Sequence, residues 1–212
     1  ENIRKVDPRI QVIYEPGLIP PQRFPADHIR GTFQRSPEQE KKWQSLLMSA
    51  DILFDFDRSH LADLPELAPK LQWIQTTSSG IGQTIHKYQY HIKLPDTIFT
   101  SARGVHDQPL AEFCLMVMLA FNKKLFRTID QQKEKHWERF SGTDLRNKTI
   151  GIIGMGKVGT EVARIAKCFG MTVIGVKRTI TGIKPASLYA EELYTPKDLN
   201  KVLPRSEYFV LI

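Results

Sequence analysis

Apolar positions change their period along this chain, and the changes predict its elements. Thr149 to Ile153 is an unbroken apolar run, the pattern of a strand buried on both faces. From Val158 the period lengthens, and Val158, Val162, Ile165, Ala166 and Phe169 fall on one side of a helix ending near Phe169. Gly170 is placed to cap that helix, and Met171 to Val176 reads as the next buried strand. Glu207 to Ile212 reads as a further strand, third or fourth in the same sheet. Earlier in the chain, Ile10 to Tyr14 predicts a short strand followed by a Pro-rich connection through Pro25. Ser36, Pro37 and Gln39 have the spacing of a helix cap, so a helix should run to about Ala50. Asp51 to Phe56 and Leu71 to Thr76 predict strands, and residues 97–108 a strand and a loop. Leu110, Cys114, Val117, Met118 and Phe121 share one helical face, which predicts a buried helix linking two domains. The polar, basic segment from Lys124 to Arg146, with Trp137 inside it, is either a solvated helix and loop or an arm that clasps a partner.

Between the first strand and helix of the later region stands Gly154-Met155-Gly156-Lys157-Val158-Gly159. In the order strand, glycine loop, helix, strand, the first glycine allows a tight turn and the second lets backbone approach a pyrophosphate. The third lets the helix pack closely on the sheet. Free amides at the helix N-terminus would face the phosphates, so Gly154, Gly156, Lys157, Val158 and Gly159 are candidate dinucleotide contacts. A tight strand-to-helix turn in an unrelated α/β protein, or a site for another adenosine ligand such as S-adenosylmethionine, has the same local pattern. Where an NAD-preferring fold places an acidic residue about 20 positions further on, this chain has Lys177-Arg178-Thr179. A guanidinium and a hydroxyl there suit the 2′-phosphate of NADP, which a carboxylate would repel, so NADP is expected over NAD. The alternative is that two basic residues begin a solvated loop.

Composition narrows the class. The chain has 212 residues, 41% hydrophobic and 25% charged, enough for one large or two modest domains. No apolar run approaches a membrane span and none resembles a signal peptide. The net charge of +7 is spread along the chain without an aromatic-basic motif, so nucleic acid is not an expected partner. Two cysteines, Cys114 and Cys168, both in helical runs, fit a reducing compartment and a cytoplasmic protein. Asp55, Asp57 and His60 cluster in sequence, but solvation at a strand end explains them without a metal. His86, His91, His106 and His136 read as surface or structural residues.

A longer series of motifs adds to this. Leu71 to Gly82 (LQWIQTTSSGIG), Gly104, Pro109-Leu110-Ala111-Glu112-Phe113, Trp137 and Asn147 to Gly159 together resemble D-isomer-specific 2-hydroxyacid dehydrogenases from about Ala50 onward. The basic ending Lys177-Arg178-Thr179 is more similar to glyoxylate and hydroxypyruvate reductases than to NAD-dependent phosphoglycerate dehydrogenases. The resemblance implies an α/β fold of two Rossmann-like domains. Residues 1–101 would be a flavodoxin-like substrate domain lacking its first strand, and residues 102–212 an incomplete NAD(P)-binding domain. It implies that amides of the Ser78, Ser79 and Gly80 turn hold a substrate carboxylate in an interdomain cleft, with Ser79 also near the cofactor. Gln83 stands where the family has an Asp. Hydride would pass between NADPH and a small 2-oxo or 2-hydroxy acid, aided by an Arg, and a His supported by a Glu.

That trio belongs beyond Ile212, so no catalytic residue is expected in this chain and no turnover from these residues alone. Arg103 does not have the context of the family's catalytic Arg. The chain is expected to be shortened at both ends, marginal or aggregation-prone when isolated, and a homodimer when intact, through the linking helix and the segment after it. A corepressor-type protein that binds NADP(H) without turnover, and formate dehydrogenase, share the architecture.

Overall fold

The computed structural model describes residues 2–25, 27 and 30–212. The chain divides into two compact units, Glu1–Ala102 and Arg103–Ile212.

The first unit carries α1 (Asn2–Val6), α2 (Pro37–Ser49), β1 (Ile52–Phe54), α3 (Leu64–Leu67), β2 (Trp73–Gln75), α4 (Gly82–Lys87), α5 (Tyr90–Lys93) and β3 (Ile98–Thr100). Helix α2 begins as its sequence dictates. The Ser36 hydroxyl accepts the Gln39 amide at 3.3 Å, the Gln39 side chain accepts the Ser36 amide at 2.9 Å, and Pro37 follows the cap. Such a cap contributes about 1 kcal/mol. The three strands are parallel in the order β1-β2-β3, with Leu53, Ile74 and Phe99 in register. Those three face the core of Leu47, Leu64, Ala68, Leu71 and Tyr90. The opposite sheet face, with Ile52, Phe54, Trp73 and Ile98, is exposed. Parallel sheets are ordinarily covered on both faces.

Two sequence expectations change here. Residues 10–14 are not a strand: they pair with no ladder, and Ile10, Ile13 and Tyr14 are exposed. Their β-branched and aromatic residues supplied a strand pattern but no partner strand to complete it. The strands expected over 51–56 and 71–76 are only three residues each. Asp55 turns into the left-handed region at φ 73° and ends β1, while Thr76 bends to place its hydroxyl on the Ser78 carbonyl and ends β2.

The second unit carries α6 (Asp107–Asn122), α7 (Leu125–Lys133), β4 (Thr149–Ile153), α8 (Lys157–Cys168), β5 (Thr172–Val176), β6 (Glu192–Tyr194), α9 (Leu199–Val202) and β7 (Tyr208–Leu211). All four strands are parallel, in the order β6-β5-β4-β7. The chain winds outward from β4 through β5 to β6, then returns to lay β7 on the other side of β4. That reversal is the switch point of a Rossmann-type α/β sheet, outside whose strand C-termini ligands bind. The fourth-strand reading of residues 207–212 holds, with β7 at Tyr208–Leu211.

Helix α8 buries Gly159, Val162, Ala163 and Ala166 against Ile150, Ile152 and Val173. Phe169, expected on that face, is exposed, because it sits at the cap where the chain leaves the helix before Gly170 at φ 71°. Helix α6 lies wholly in this unit and buries Ala111, Leu115, Met118 and Asn122. The face expected to be buried was Leu110, Cys114, Val117, Met118 and Phe121, yet Leu110, Val117 and Phe121 are exposed. The helix is apolar nearly all round, and its small-sided neighbour α8 selects the face led by Ala111. Among the described residues, no helix is long and apolar enough to cross a membrane.

Candidate dinucleotide-binding site

The site is built at the C-terminal end of β4. Gly154 leaves the strand at φ 111°, a conformation that glycine adopts without strain. Its amide and that of Met155 both donate to the Val176 carbonyl at the end of β5, at 3.0 and 3.1 Å. The Gly156 amide folds back to the Gly154 carbonyl at 2.8 Å, and α8 starts one residue later. Gly156 is the N-cap and has no side chain to satisfy the first amides of the helix. The amides of Lys157, Val158 and Gly159 therefore remain available to an anion, reinforced by the helix dipole. Gly159 lies under the turn, and a Cβ there would stand 2.2 Å from the Gly154 carbonyl oxygen. The strand, turn and helix thus meet at a distance only glycine permits.

The side chains around the turn divide. Lys157 is exposed, and its ammonium lies over Gly104, where a Cβ would come within 2.9 Å of Nζ. Lys177 is half-buried, and its Nζ donates to the Met155 carbonyl at 2.7 Å. Arg178 and Thr179 are exposed just past β5. A pocket of about 580 Å³ opens nearby, between the start of α6 and α8, lined by Gly104, Asp107, Gln108, Pro109, Glu112 and Glu161. Its three carboxylates disfavour a phosphate, whereas the free amides at the start of α8 suit one.

The residues assigned to substrate lie in the first unit, past the end of β2. Thr76 is buried, with its amide on the Thr100 carbonyl at 2.9 Å. The Ser78 carbonyl accepts from the Thr76 hydroxyl at 3.0 Å and the Ala102 amide at 3.3 Å. The Ser79 hydroxyl donates to the Ala102 carbonyl at 3.4 Å, and Gly80 is exposed with open space around its Cα. The turn is pinned at Ser78 and opens at Ser79 and Gly80. The Thr77 hydroxyl donates to Asp55 beside it.

The acidic stretch near β1 is a hydrogen-bond network. Asp57 accepts from the Trp43 indole at 2.7 Å and from Ser59. His60 bridges Glu40, at 2.7 Å, and Asp63, at 3.0 Å. Arg35 reaches Glu40 at 3.2 Å and stacks over the Trp43 ring. Burial alone would push the His60 pKa down, but the Asp63 and Glu40 carboxylates outweigh it and the net shift is upward. His86 and His91 stack on each other at the surface, His136 lies 3.7 Å from Glu138, and Arg103 and His106 are exposed. Both cysteines are free thiols.

Comparison with known proteins agrees with this geometry. The family described as "D-isomer specific 2-hydroxyacid dehydrogenase, NAD binding domain" matches residues 115–212, nearly all of the second unit. Residues 115–212 carry the NAD-binding domain of the D-isomer specific 2-hydroxyacid dehydrogenases. It is 34% identical to human D-3-phosphoglycerate dehydrogenase over 152 residues, 71% of this chain and 27% of that protein. It is 33% identical to glyoxylate reductase of Thermococcus gammatolerans over 121 residues, 53% of this chain and 35% of that one. A D-isomer specific 2-hydroxyacid dehydrogenase family protein from Aeromonas salmonicida superposes with a TM-score of 0.66 at 26% identity, covering 82% of this chain and 53% of that one. The NADPH-dependent glyoxylate/hydroxypyruvate reductase of Sinorhizobium meliloti, solved with NADP and sulfate, shares the fold, with a TM-score of 0.61 at 22% identity over 77% of this chain and 49% of that chain. The chain therefore spans about half the length of these solved relatives and about a third or less of the curated ones.

Val176 and Met155 are site residues that the sequence did not single out, because both act through backbone carbonyls. The only available signal was position: the last residue of β5 lies opposite the turn in any parallel pair of this register.

Proposed function

We propose that the protein carrying this chain is an NADP(H)-dependent reductase of small 2-oxo acids such as glyoxylate or hydroxypyruvate. The observation that carries the cofactor preference is the end of β5, where no carboxylate stands and the Arg178 guanidinium and Thr179 hydroxyl are free to meet a 2′-phosphate. When bound, the dinucleotide supplies the hydride that goes to the carbonyl carbon. This chain's residues do the holding. Gly154 and Gly156 let backbone approach the pyrophosphate, and the amides of Lys157, Val158 and Gly159 receive it. The open amides of Ser79 and Gly80 hold the substrate carboxylate. The family resemblance gives the polarising of the carbonyl and the delivery of the proton to an Arg and a Glu-supported His, and none of the residues named above takes those roles.

Two further parts of the reading concern assembly and place. Leu110, Phe113, Met116, Val117 and Phe121 leave an exposed apolar side on α6, and Phe126 and Trp137 continue the exposure beyond it. A patch of this kind marks a protein interface, and the occupant we assign is a second copy of the chain. Free Cys114 and Cys168 suit a cytoplasmic setting.

The test is NADPH and NADH titration of the intact protein, then NADPH oxidation with glyoxylate and hydroxypyruvate. Tighter binding of NADPH and turnover of either acid are expected. Tighter binding of NADH overturns the cofactor assignment, and NADPH binding without turnover of any 2-oxo acid overturns the enzyme assignment in favour of a cofactor-sensing protein. Phe113→Glu with Val117→Glu should convert a dimer to a monomer in analytical ultracentrifugation, and an unchanged mass would place the interface elsewhere.

A further inference from the structure

We infer that Lys177 is a positioning residue that straps the glycine turn to β5, and that discrimination between NADP and NAD rests on Arg178 with Thr179. This rests on the dinucleotide reading of the site and assigns separate tasks to adjacent residues that the sequence groups together.

Four contacts carry the inference. Lys177 Nζ donates to the Met155 carbonyl at 2.7 Å. The Met155 amide donates to the Val176 carbonyl at 3.1 Å, so the same peptide segment is held on both sides by consecutive residues of β5 and its exit. The Lys177 amide donates to the Tyr194 carbonyl at 2.9 Å, which keeps the backbone of Lys177 in the sheet while its side chain reaches back to the turn. The Met155 side chain is fully buried and packs so closely on Gly175 that a Cβ there would lie 2.8 Å from Met155 Cγ. Met155 is thus fixed through its amide, its carbonyl and its side chain, and Gly156, the N-cap of α8, follows it directly.

The consequence is electrostatic as well as geometric. An ammonium tied beneath the turn adds positive charge where the pyrophosphate is read, and that part of the ligand is identical in NAD and NADP. To reach a 2′-phosphate, Lys177 would have to abandon the Met155 carbonyl and leave it without that donor. Arg178 has no such tie: it is exposed, and its planar fork matches a phosphate.

The experiment uses the intact protein with Lys177→Met, which keeps the apolar stem, Lys177→Arg, which keeps the charge, and Arg178→Gln. Dissociation constants for NADPH and NADH are measured by fluorescence, and thermal unfolding without nucleotide is followed in parallel. Lys177→Met should weaken both cofactors by a common factor of roughly five to ten, the net worth of about one hydrogen bond, and should lower the melting temperature of the unliganded protein. Lys177→Arg should recover part of both losses. Arg178→Gln should weaken NADPH at least roughly tenfold with NADH nearly unchanged, and should leave unliganded melting unaltered. Selective loss of NADPH in Lys177→Met, or unaltered melting with no common loss, overturns the inference. A wild type that prefers NADH defeats the cofactor assignment in the preceding section but leaves the strap testable, because its common loss and its melting shift do not depend on that preference.

Discussion

Gly159→Ala tests the turn without removing a polar group. Gly159 lies on the buried face of α8 above the exit of β4, and the added Cβ would stand 2.2 Å from the Gly154 carbonyl oxygen, 3.1 Å from its carbon and 3.2 Å from Ile152 Cγ2. Ordinary contact begins near 3.4 Å, so the helix must retreat by about 1 Å. The obstacle is backbone, held by the Gly154 amide on Val176 and the Gly156 amide on Gly154, and it cannot rotate away as a side chain would. Overpacking of this sort costs about 1–3 kcal/mol, and a backbone obstacle puts the cost at the upper end. Alanine returns about 1 kcal/mol of helix propensity. The net is destabilisation by about 2 kcal/mol, or roughly 10 °C in the melting of a unit this size.

Thermal unfolding followed by circular dichroism reads that shift, and Gly156→Ala is its control. A Cβ at Gly156 meets nothing within 4 Å, and its φ of −90° suits any residue, so the melting temperature should be unchanged. The methyl group would nonetheless stand where backbone approaches the pyrophosphate, and NADPH affinity should fall roughly tenfold or more. A Gly159→Ala protein that melts at or above the wild type would refute the close-contact argument. A Gly156→Ala protein with unaltered affinity would refute the placement of the phosphates.

Two other perturbations probe the units separately. His60 has a raised pKa, so its contribution is complete below the ordinary value of 6.5 and is lost as pH rises through the folded value. Burial pushes Glu40 up, but its bonds to His60 and Arg35 give a net lowering, so its contribution is present above 4.5 and is lost as pH falls through the folded value. The first unit should therefore be most stable between these limits, and His60→Gln should flatten the alkaline limb of its melting curve against pH; an unchanged limb would exclude the network as its cause. In the second unit Asn122 is buried, donating to the Met118 carbonyl at 2.7 Å, exchanging hydrogen bonds with the Tyr208 hydroxyl, and accepting from Thr143 at 2.6 Å. Asn122→Leu orphans two hydroxyls and should cost about 2–3 kcal/mol in urea unfolding, whereas Tyr208→Phe should cost about 1 kcal/mol; equal losses would contradict this division.

Elements whose information is local were legible in the sequence. The cap at Ser36 needs only residues 36–39, and β4, the glycine turn, α8 and β5 need only an apolar run, three glycines and a change of period. The place of β5 beside β4 follows from the turn, because a right-handed parallel crossover leaves little choice for it, whereas β6 and the order β6-β5-β4-β7 were not read from the sequence. Residues 10–14 carry the composition of a strand, but a strand exists only when another lies beside it, and that condition is not written in five residues.

Helix α6 and Lys177 mark the two ways in which the pattern fell short. A helix apolar on one side announces its buried face, but α6 is apolar on most sides, and the choice between Ala111-Leu115-Met118 and Leu110-Val117-Phe121 was made by the partner. Gly159, Ala163 and Ala166 of α8 allow an approach that suits a small residue such as Ala111, so the larger side chains remain outward. Those outward residues are the surface assigned above to a second copy, and periodicity cannot separate a core face from an interface face because both exclude water by the same physics. Lys177 is the electrostatic counterpart. Its charge and its position beside Arg178 suggested a shared phosphate contact, yet a long flexible stem lets an ammonium bond wherever an oxygen is left open. The open oxygen here is the Met155 carbonyl, exposed to Lys177 only because Gly154 turns the chain at φ 111°. The role of Lys177 is therefore set by a glycine more than twenty positions away in sequence, and a reading of Lys177 from its own neighbours could not have found it.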